Sequence, residues 1–96
     1  MRGLKLTYMF DSQRFNIQET EDGGDVRFRI QGLEEVDLHV IMQRIQQDFE
    51  ENRVITDVLM YVYPHQTFEF IVRQDFYVDF ILSLMKYQIL QRITWI

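Results

Sequence analysis

Residues 76–96, FYVDFILSLMKYQILQRITWI, decide how this chain must fold, because 14 of these 21 residues are Phe, Tyr, Trp, Val, Ile, Leu or Met. At about 100° per residue, the polar positions of a helix in this segment fall on one narrow stripe. An aliphatic face and an aromatic face flank that stripe, the first with Val78, Leu82, Met85, Ile89 and Ile93 and the second with Phe76, Phe80 and Tyr87. A helix that is apolar most of the way round is usually buried on several sides. We therefore expect this helix to pack on the sheet and on a second surface as well.

The same segment is long enough to suggest a membrane-spanning helix. Asp79, Lys86 and Arg92 interrupt it, however, and each charge in the middle of a bilayer costs a few kcal/mol. The spacing of these charges suits an amphipathic helix better. We expect no membrane contact.

Upstream of this segment, three short stretches alternate apolar and polar residues, which is typical of strands with one buried face. They cover residues 4–10, 14–18 and 26–31. Gly23-Gly24, inside an acidic stretch from Glu19 to Asp25, supplies the backbone freedom of a tight hairpin turn. The pattern predicts an antiparallel meander over residues 4–31.

In the middle of the chain, the spacing of apolar residues changes from the two-residue alternation of strands to the spacing of a helix. Apolar residues recur at helical spacing and predict a helix from about Glu34 to Asn52, with Leu38, Ile41, Met42, Ile45 and Phe49 on its buried face. Residues 54–63 and 67–73 then predict strands 4 and 5, joined by a turn at Pro64. Asp75 is a suitable N-cap for the C-terminal helix, and residues 93–96 suit a short sixth strand.

This order, βββαββα with a possible final β, predicts one α+β domain over residues 1–96. We expect an antiparallel sheet of five or six strands with two helices on one face. From strand 3 onward the order β-α-β-β-α-β is also that of ferredoxin-like domains, whose open sheet face often pairs with a second copy or holds a ligand.

One face of the predicted meander carries four cations and no carboxylate, namely Lys5, Arg14, Arg27 and Arg29. This patch suits an anionic partner, although a solvated face that resists edge-to-edge aggregation is the more common use of such charges. No aromatic residue alternates with these cations within the meander, so the base stacking typical of single-stranded nucleic acid binding is missing. The net charge of −5 also makes nucleic acid a poor partner.

The chain offers little for catalysis or metal binding. It has no cysteine, which excludes disulfides, cysteine zinc sites and thiol chemistry. His39 and His65 lack metal-ligand partners at short spacing, neither serine lies in a nucleophile elbow, and the acidic residues near Gly23 lack the ligand spacing of an EF-hand. We expect no catalytic residues, no metal and no cofactor.

The sequence therefore predicts a non-enzymatic, cytoplasmic interaction or regulatory module that forms a homodimer or binds another protein. The expected contacts are aromatic residues of the C-terminal helix and of the strand 4 region, which give large contact area at low entropic cost: Phe76, Phe80, Tyr87, Tyr61, Tyr63 and Trp95. An alternative is a small-molecule or minor catalytic domain with a pocket between sheet and helices, and Tyr61, Tyr63 and His65 at its mouth. RNA binding through the basic face is a third possibility.

Overall fold

The computed structural model describes residues 6–33, 38–51 and 58–95. The predicted α+β fold with two helices and antiparallel sheets is confirmed. A short 3-10 turn at Gln74–Phe76 precedes the second helix. The elements, in chain order, are β1 Leu6–Met9, β2 Phe15–Asp22, β3 Asp25–Gly32, α1 Leu38–Glu51, β4 Val58–Tyr63, β5 Thr67–Arg73, α2 Tyr77–Lys86 and β6 Arg92–Trp95.

The main sheet has four antiparallel strands in the order β2-β3-β5-β4. Its first hairpin turns at Gly23, which adopts the left-handed φ of 64° that glycine tolerates without strain. β2 is longer than predicted, because the acidic residues from Glu19 to Asp22 continue the ladder with β3 and leave only the two glycines as the turn.

The first predicted strand does not join this sheet. β1 pairs with β6 in a separate two-stranded ribbon, with Tyr8 opposite Ile93. The prediction of a three-stranded meander over residues 4–31 is therefore wrong for β1, because alternation identifies a strand without choosing its neighbour. The ferredoxin-like order is not confirmed, since β2 occupies the place beside β3 that this order would give to β6.

Both helices cover one face of the main sheet, and their apolar residues close the core against it. Phe80 of α2 is fully buried, with its ring centroid 4.7 Å from that of Phe28 and 4.9 Å from that of Phe70. α1 contributes four of the five residues that its period predicted, namely Leu38, Met42, Ile45 and Phe49, and the fifth, Ile41, is half-buried against the core. The predicted start of α1 at Glu34 and its end at Asn52 lie outside the described residues.

α2 ends earlier than its apolar sequence suggests. Gln88 adopts a left-handed φ of 63°, its N–H donates to the carbonyl of Met85, and the N–H of Ile89 donates to the carbonyl of Leu84. This pair of bonds is the Schellman ending of a helix. The chain then reverses, so that Ile89 and Leu90 enter the core and the next residues form β6.

The predicted N-cap of α2 is wrong. Asp75 lies inside the 3-10 turn, and Phe76 occupies the cap position without a side-chain hydrogen bond. Gln74, the first residue of the 3-10 turn, is held by two hydrogen bonds. Its backbone N–H donates to the carbonyl of Gly24, and its side-chain amide donates to the carbonyl of Gly23. The β2–β3 turn therefore fixes the position at which the 3-10 turn begins.

Candidate interaction surface

The face of the main sheet opposite the helices, here called the open face, carries side chains in rows across the strands. Alternate residues of a strand point to opposite faces, and the ladder register places their neighbours directly beside them. One row runs Gln18, Arg29, Glu69 and Tyr61, and a second row runs Asn16, Gln31, Thr67 and Tyr63. A third row runs Thr20, Arg27, Ile71 and Leu59. The open face therefore changes from polar at β2 to apolar and aromatic at β4.

A carboxylate occupies the centre of the open face. Glu69 lies 3.7 Å from Arg27 and 3.8 Å from Arg29, and its side chain is only 13% exposed. Arg27 also approaches Asp22 at 3.7 Å. Glu69 thus adds a carboxylate from outside the predicted meander to the face that carries Arg27 and Arg29. Glu69 belongs to β5, which sequence alternation alone could not place beside β3.

The open face also contains the aromatic residues that the meander lacks. The guanidinium of Arg29 lies 5.3 Å from the centroid of the Tyr63 ring, at the distance of a cation–π contact. Tyr61 faces Glu69 in the ladder. The two β4 tyrosines and the two β3 arginines thus share one surface, although some thirty residues separate them along the chain.

The other two predicted cations do not extend this group in the described residues. Arg14 lies in the turn before β2, with its guanidinium 5.3 Å from the centroid of the Phe15 ring. Lys5 lies outside the described residues. The structure therefore brings together Arg27 and Arg29 and leaves Arg14 at the end of β2.

β4 is an edge strand with unusual exposure. Its six residues, VLMYVY, include no charged side chain. Leu59 is 50% exposed, Tyr61 46% and Val62 54%, and Tyr63 is also exposed. Among the described strands none pairs with its outer side. An exposed apolar edge of this kind presents unpaired backbone groups together with apolar side chains.

The six residues predicted as an interface do not form one surface. Phe80 is in the core, whereas Phe76 and Tyr87 are half-buried against it. Tyr61 and Tyr63 lie on the open face, and Trp95 is exposed at the end of β6. The aromatic side of α2 is therefore largely used within the monomer, and Leu82, 48% exposed, is the large apolar residue that α2 leaves open.

Tyr87 has a polar role in addition to its packing. Its hydroxyl donates a hydrogen bond of 2.6 Å to Oδ2 of Asp48 on α1, and Lys86 lies 3.5 Å from the same oxygen. The hydrogen bond to Asp48 raises the pKa of Tyr87 above its ordinary value. These contacts tie the C-terminal end of α2 to α1.

A second polar cluster lies on the helix-covered side of the sheet. The hydroxyls of Tyr8 and Tyr77 both donate to Oε1 of Glu19, each at 2.9 Å. Burial, followed by the nearby Glu19 charge, raises the pKa of Tyr8. The sequence placed Glu19 in an acidic turn, but its position in β2 instead directs it toward α2 and β1, where it links three elements.

The histidines stand apart from these clusters. His39 is exposed on α1, with its ring centroid 5.7 Å from that of Phe68. His65 is exposed in the β4–β5 turn, where it adopts a left-handed φ of 63°. Within residues 6–33, 38–51 and 58–95, no group of three His, Asp or Glu side chains could hold a metal ion.

The alternative of a pocket between sheet and helices gains no support from the tyrosines, because Tyr61 and Tyr63 lie on the opposite face. A shallow polar recess lies instead beside the first hairpin turn, lined by Gly24, Asp25, Arg73, Gln74 and Asp75. One polar group of its lining, the carbonyl of Gly24, already accepts a hydrogen bond from the backbone N–H of Gln74.

Comparison of the chain with protein-family models, with curated proteins and with solved structures found no match in any of the three. Neither of the two described helices is long and apolar enough to cross a membrane.

Proposed function

We propose that this protein is a non-enzymatic interaction module that forms a homodimer, with β4 and the adjacent part of the open face as its contact surface. The observation that carries the proposal is the exposure of four apolar or aromatic residues on an uncharged edge strand, namely Leu59, Tyr61, Val62 and Tyr63. Contiguous apolar surface of this kind commonly marks a protein-binding site.

The composition of the surface supports protein contact over catalysis. Tyrosine anchors supply large contact area with few rotatable bonds, and Arg29 stacked on Tyr63 places a charged group at the border of the apolar strip. Interfaces commonly combine an apolar centre with a polar rim. We further propose a cytoplasmic location, since the chain contains no cysteine and needs no oxidising compartment.

The C-terminal helix supplies a smaller share of this proposed surface than the sequence predicts. Phe80 is fully buried, and the half-buried Tyr87 bonds to Asp48. Leu82 is the exposed large apolar residue that α2 offers for contact. The two surfaces can be separated experimentally because Leu82 lies on α2, which covers one face of the main sheet, whereas the side chain of Tyr61 lies on the open face.

Light scattering across a concentration series, at low and high salt, tests the proposal. We expect a dimer that persists in high salt, because apolar contacts are not screened. We expect Tyr61→Lys to raise the dimer dissociation constant by about tenfold or more, equivalent to about 1.4 kcal/mol. The matched variant Leu82→Lys should leave it unchanged. A monomer at every concentration overturns self-association, and a loss confined to Leu82→Lys transfers the interface to α2.

RNA binding is a second candidate, and the Arg29–Tyr63 contact is the specific observation that favours it. The acidic chain and the central Glu69 oppose it. Fluorescence anisotropy with a labelled single-stranded RNA tests it directly. Binding that weakens with salt and is lost in both Arg29→Ala and Tyr63→Ala supports this function, whereas no binding at low salt excludes it for the RNA used.

A further inference from the structure

We infer that two copies of this protein join by antiparallel pairing of β4 with β4, which extends the four-stranded sheet of each copy into one continuous sheet across the dimer. This inference rests on the proposed self-association and specifies its geometry and its partner. It differs from side-chain packing alone because backbone hydrogen bonds between the two strands form the centre of the contact.

The two edges of the main sheet differ in the way that this inference requires. β2, at one edge, ends in the exposed charged residues Glu21 and Asp22. Charges on an edge strand oppose pairing with another sheet. β4, at the other edge, carries none. Among the described residues, the sheet therefore has one edge strand with charged side chains and one without them, and the second is chemically open to a further strand.

A second copy suits this open edge for two reasons. An antiparallel pair of identical strands is self-complementary about a two-fold axis, so the contact closes and does not propagate. The net charge of −5 makes most surfaces of two copies repel each other, but β4 places no like charges opposite one another. Pairing of β4 with the acidic β2 edge would instead build an open-ended assembly.

The side-chain positions are consistent with this pairing. A two-fold axis perpendicular to the sheet places both open faces on the same side. Leu59, Tyr61 and Tyr63 of each copy then form one apolar strip across the junction, with Arg29 of each copy beside it. Val62 points to the other face and is 54% exposed at the edge, so the neighbouring strand also covers it.

Disulfide trapping tests the inference cleanly because the chain has no cysteine of its own. Single cysteines are introduced in place of Leu59, Met60, Tyr61, Val62 and Tyr63, with Val40→Cys and Leu82→Cys as controls at exposed apolar positions on the two helices. In a symmetric antiparallel pair, one residue lies opposite its own counterpart, and the distance between counterparts grows on both sides of it.

We expect air oxidation to give covalent dimers with a maximum at one β4 position, at least about tenfold above the controls, a difference of about 1.4 kcal/mol. We also expect Val62→Lys, which adds a charge at the edge, to abolish the dimer seen by light scattering, whereas Val40→Lys retains it. A dimer that withstands Val62→Lys and traps only through Leu82→Cys overturns strand pairing but retains self-association. A monomer throughout overturns both.

Discussion

The hydroxyl of Tyr8 donates a hydrogen bond of 2.9 Å to Oε1 of Glu19, which joins the β1–β6 ribbon to the main sheet. Tyr77 donates to the same oxygen from the first residue of α2. One carboxylate oxygen therefore satisfies two hydroxyl groups that would otherwise lie half-buried or buried without this partner. This link is polar, and Leu6 and Ile93 of the ribbon add apolar packing against the core.

Removing the Glu19 carboxylate should destabilise the fold. We expect Glu19→Ala to lower the free energy of unfolding by about 1–3 kcal/mol, because it leaves two tyrosine hydroxyls without their acceptor. Glu19→Gln should cost less, since an amide oxygen still accepts. Denaturant unfolding measures both, with exposed Glu50→Ala as the control at about 0.5 kcal/mol or less. Equal effects of Glu19→Ala and Glu50→Ala would contradict the proposed role of this cluster.

Stability should fall at high pH. Burial raises the pKa of Tyr8, and the Asp48 hydrogen bond raises that of Tyr87, each from an ordinary value of 10.0. Below pH 10.0 the tyrosine hydroxyls keep their protons in both the folded and the unfolded state, so their contribution to stability is fully present. Above it the unfolded chain loses protons first, and the free energy of unfolding decreases. Urea midpoints across this range should fall less steeply in Tyr8→Phe than in the parent chain; an identical slope would contradict this.

Truncation of Phe80 should destabilise the monomer much more than truncation of Tyr61, although both residues were expected to lie at one interface. Phe80→Ala should cost about 3–5 kcal/mol because it removes a ring at the centre of the core. Tyr61→Ala, on the exposed face, should change the monomer's stability by about 0.5 kcal/mol. Thermal unfolding at a concentration below the dimer dissociation constant separates these effects from association. If Phe80→Ala does not fold, Phe80→Leu gives the same ranking with a smaller loss.

Gln88 provides a test of the helix ending. Its left-handed φ of 63° costs a residue with a side chain about 1–2 kcal/mol, whereas glycine adopts this conformation freely at a modest entropic cost. We expect Gln88→Gly to raise the free energy of unfolding by up to about 1 kcal/mol. The same substitution at exposed Gln47, within α1, should lower it by about 1 kcal/mol. A loss in both variants would argue against a left-handed Gln88.

Local patterns were sufficient for the identity of most elements. The spacing of Leu38, Met42, Ile45 and Phe49 correctly gave the buried face of α1, and alternation gave the core residues of β3 and β5. These predictions are reliable because the 3.6-residue and two-residue periods follow from backbone geometry, and burial acts on each residue separately.

The same patterns were insufficient for the candidate surface. Glu69 and Tyr63 belong to strands whose neighbours depend on sheet order, and no local period records which strand lies beside β3. The C-terminal helix shows a related limit: its length depended on the hydrogen bonds around Gln88, while the helical spacing of apolar residues continued to Ile93.

By itself the sequence determined the α+β class, the amphipathic α1, the hairpin at Gly23 and the presence of more apolar surface than one helix face can bury. Only the tertiary structure decided that Phe80 belongs to the core, that Tyr61 and Tyr63 share a face with Arg27 and Arg29, and that β4 rather than α2 is the exposed apolar element. The physical reason is that hydrophobicity measures a residue's tendency to leave water, whereas the order of strands and the packing of helices determine which residues the folded chain can cover.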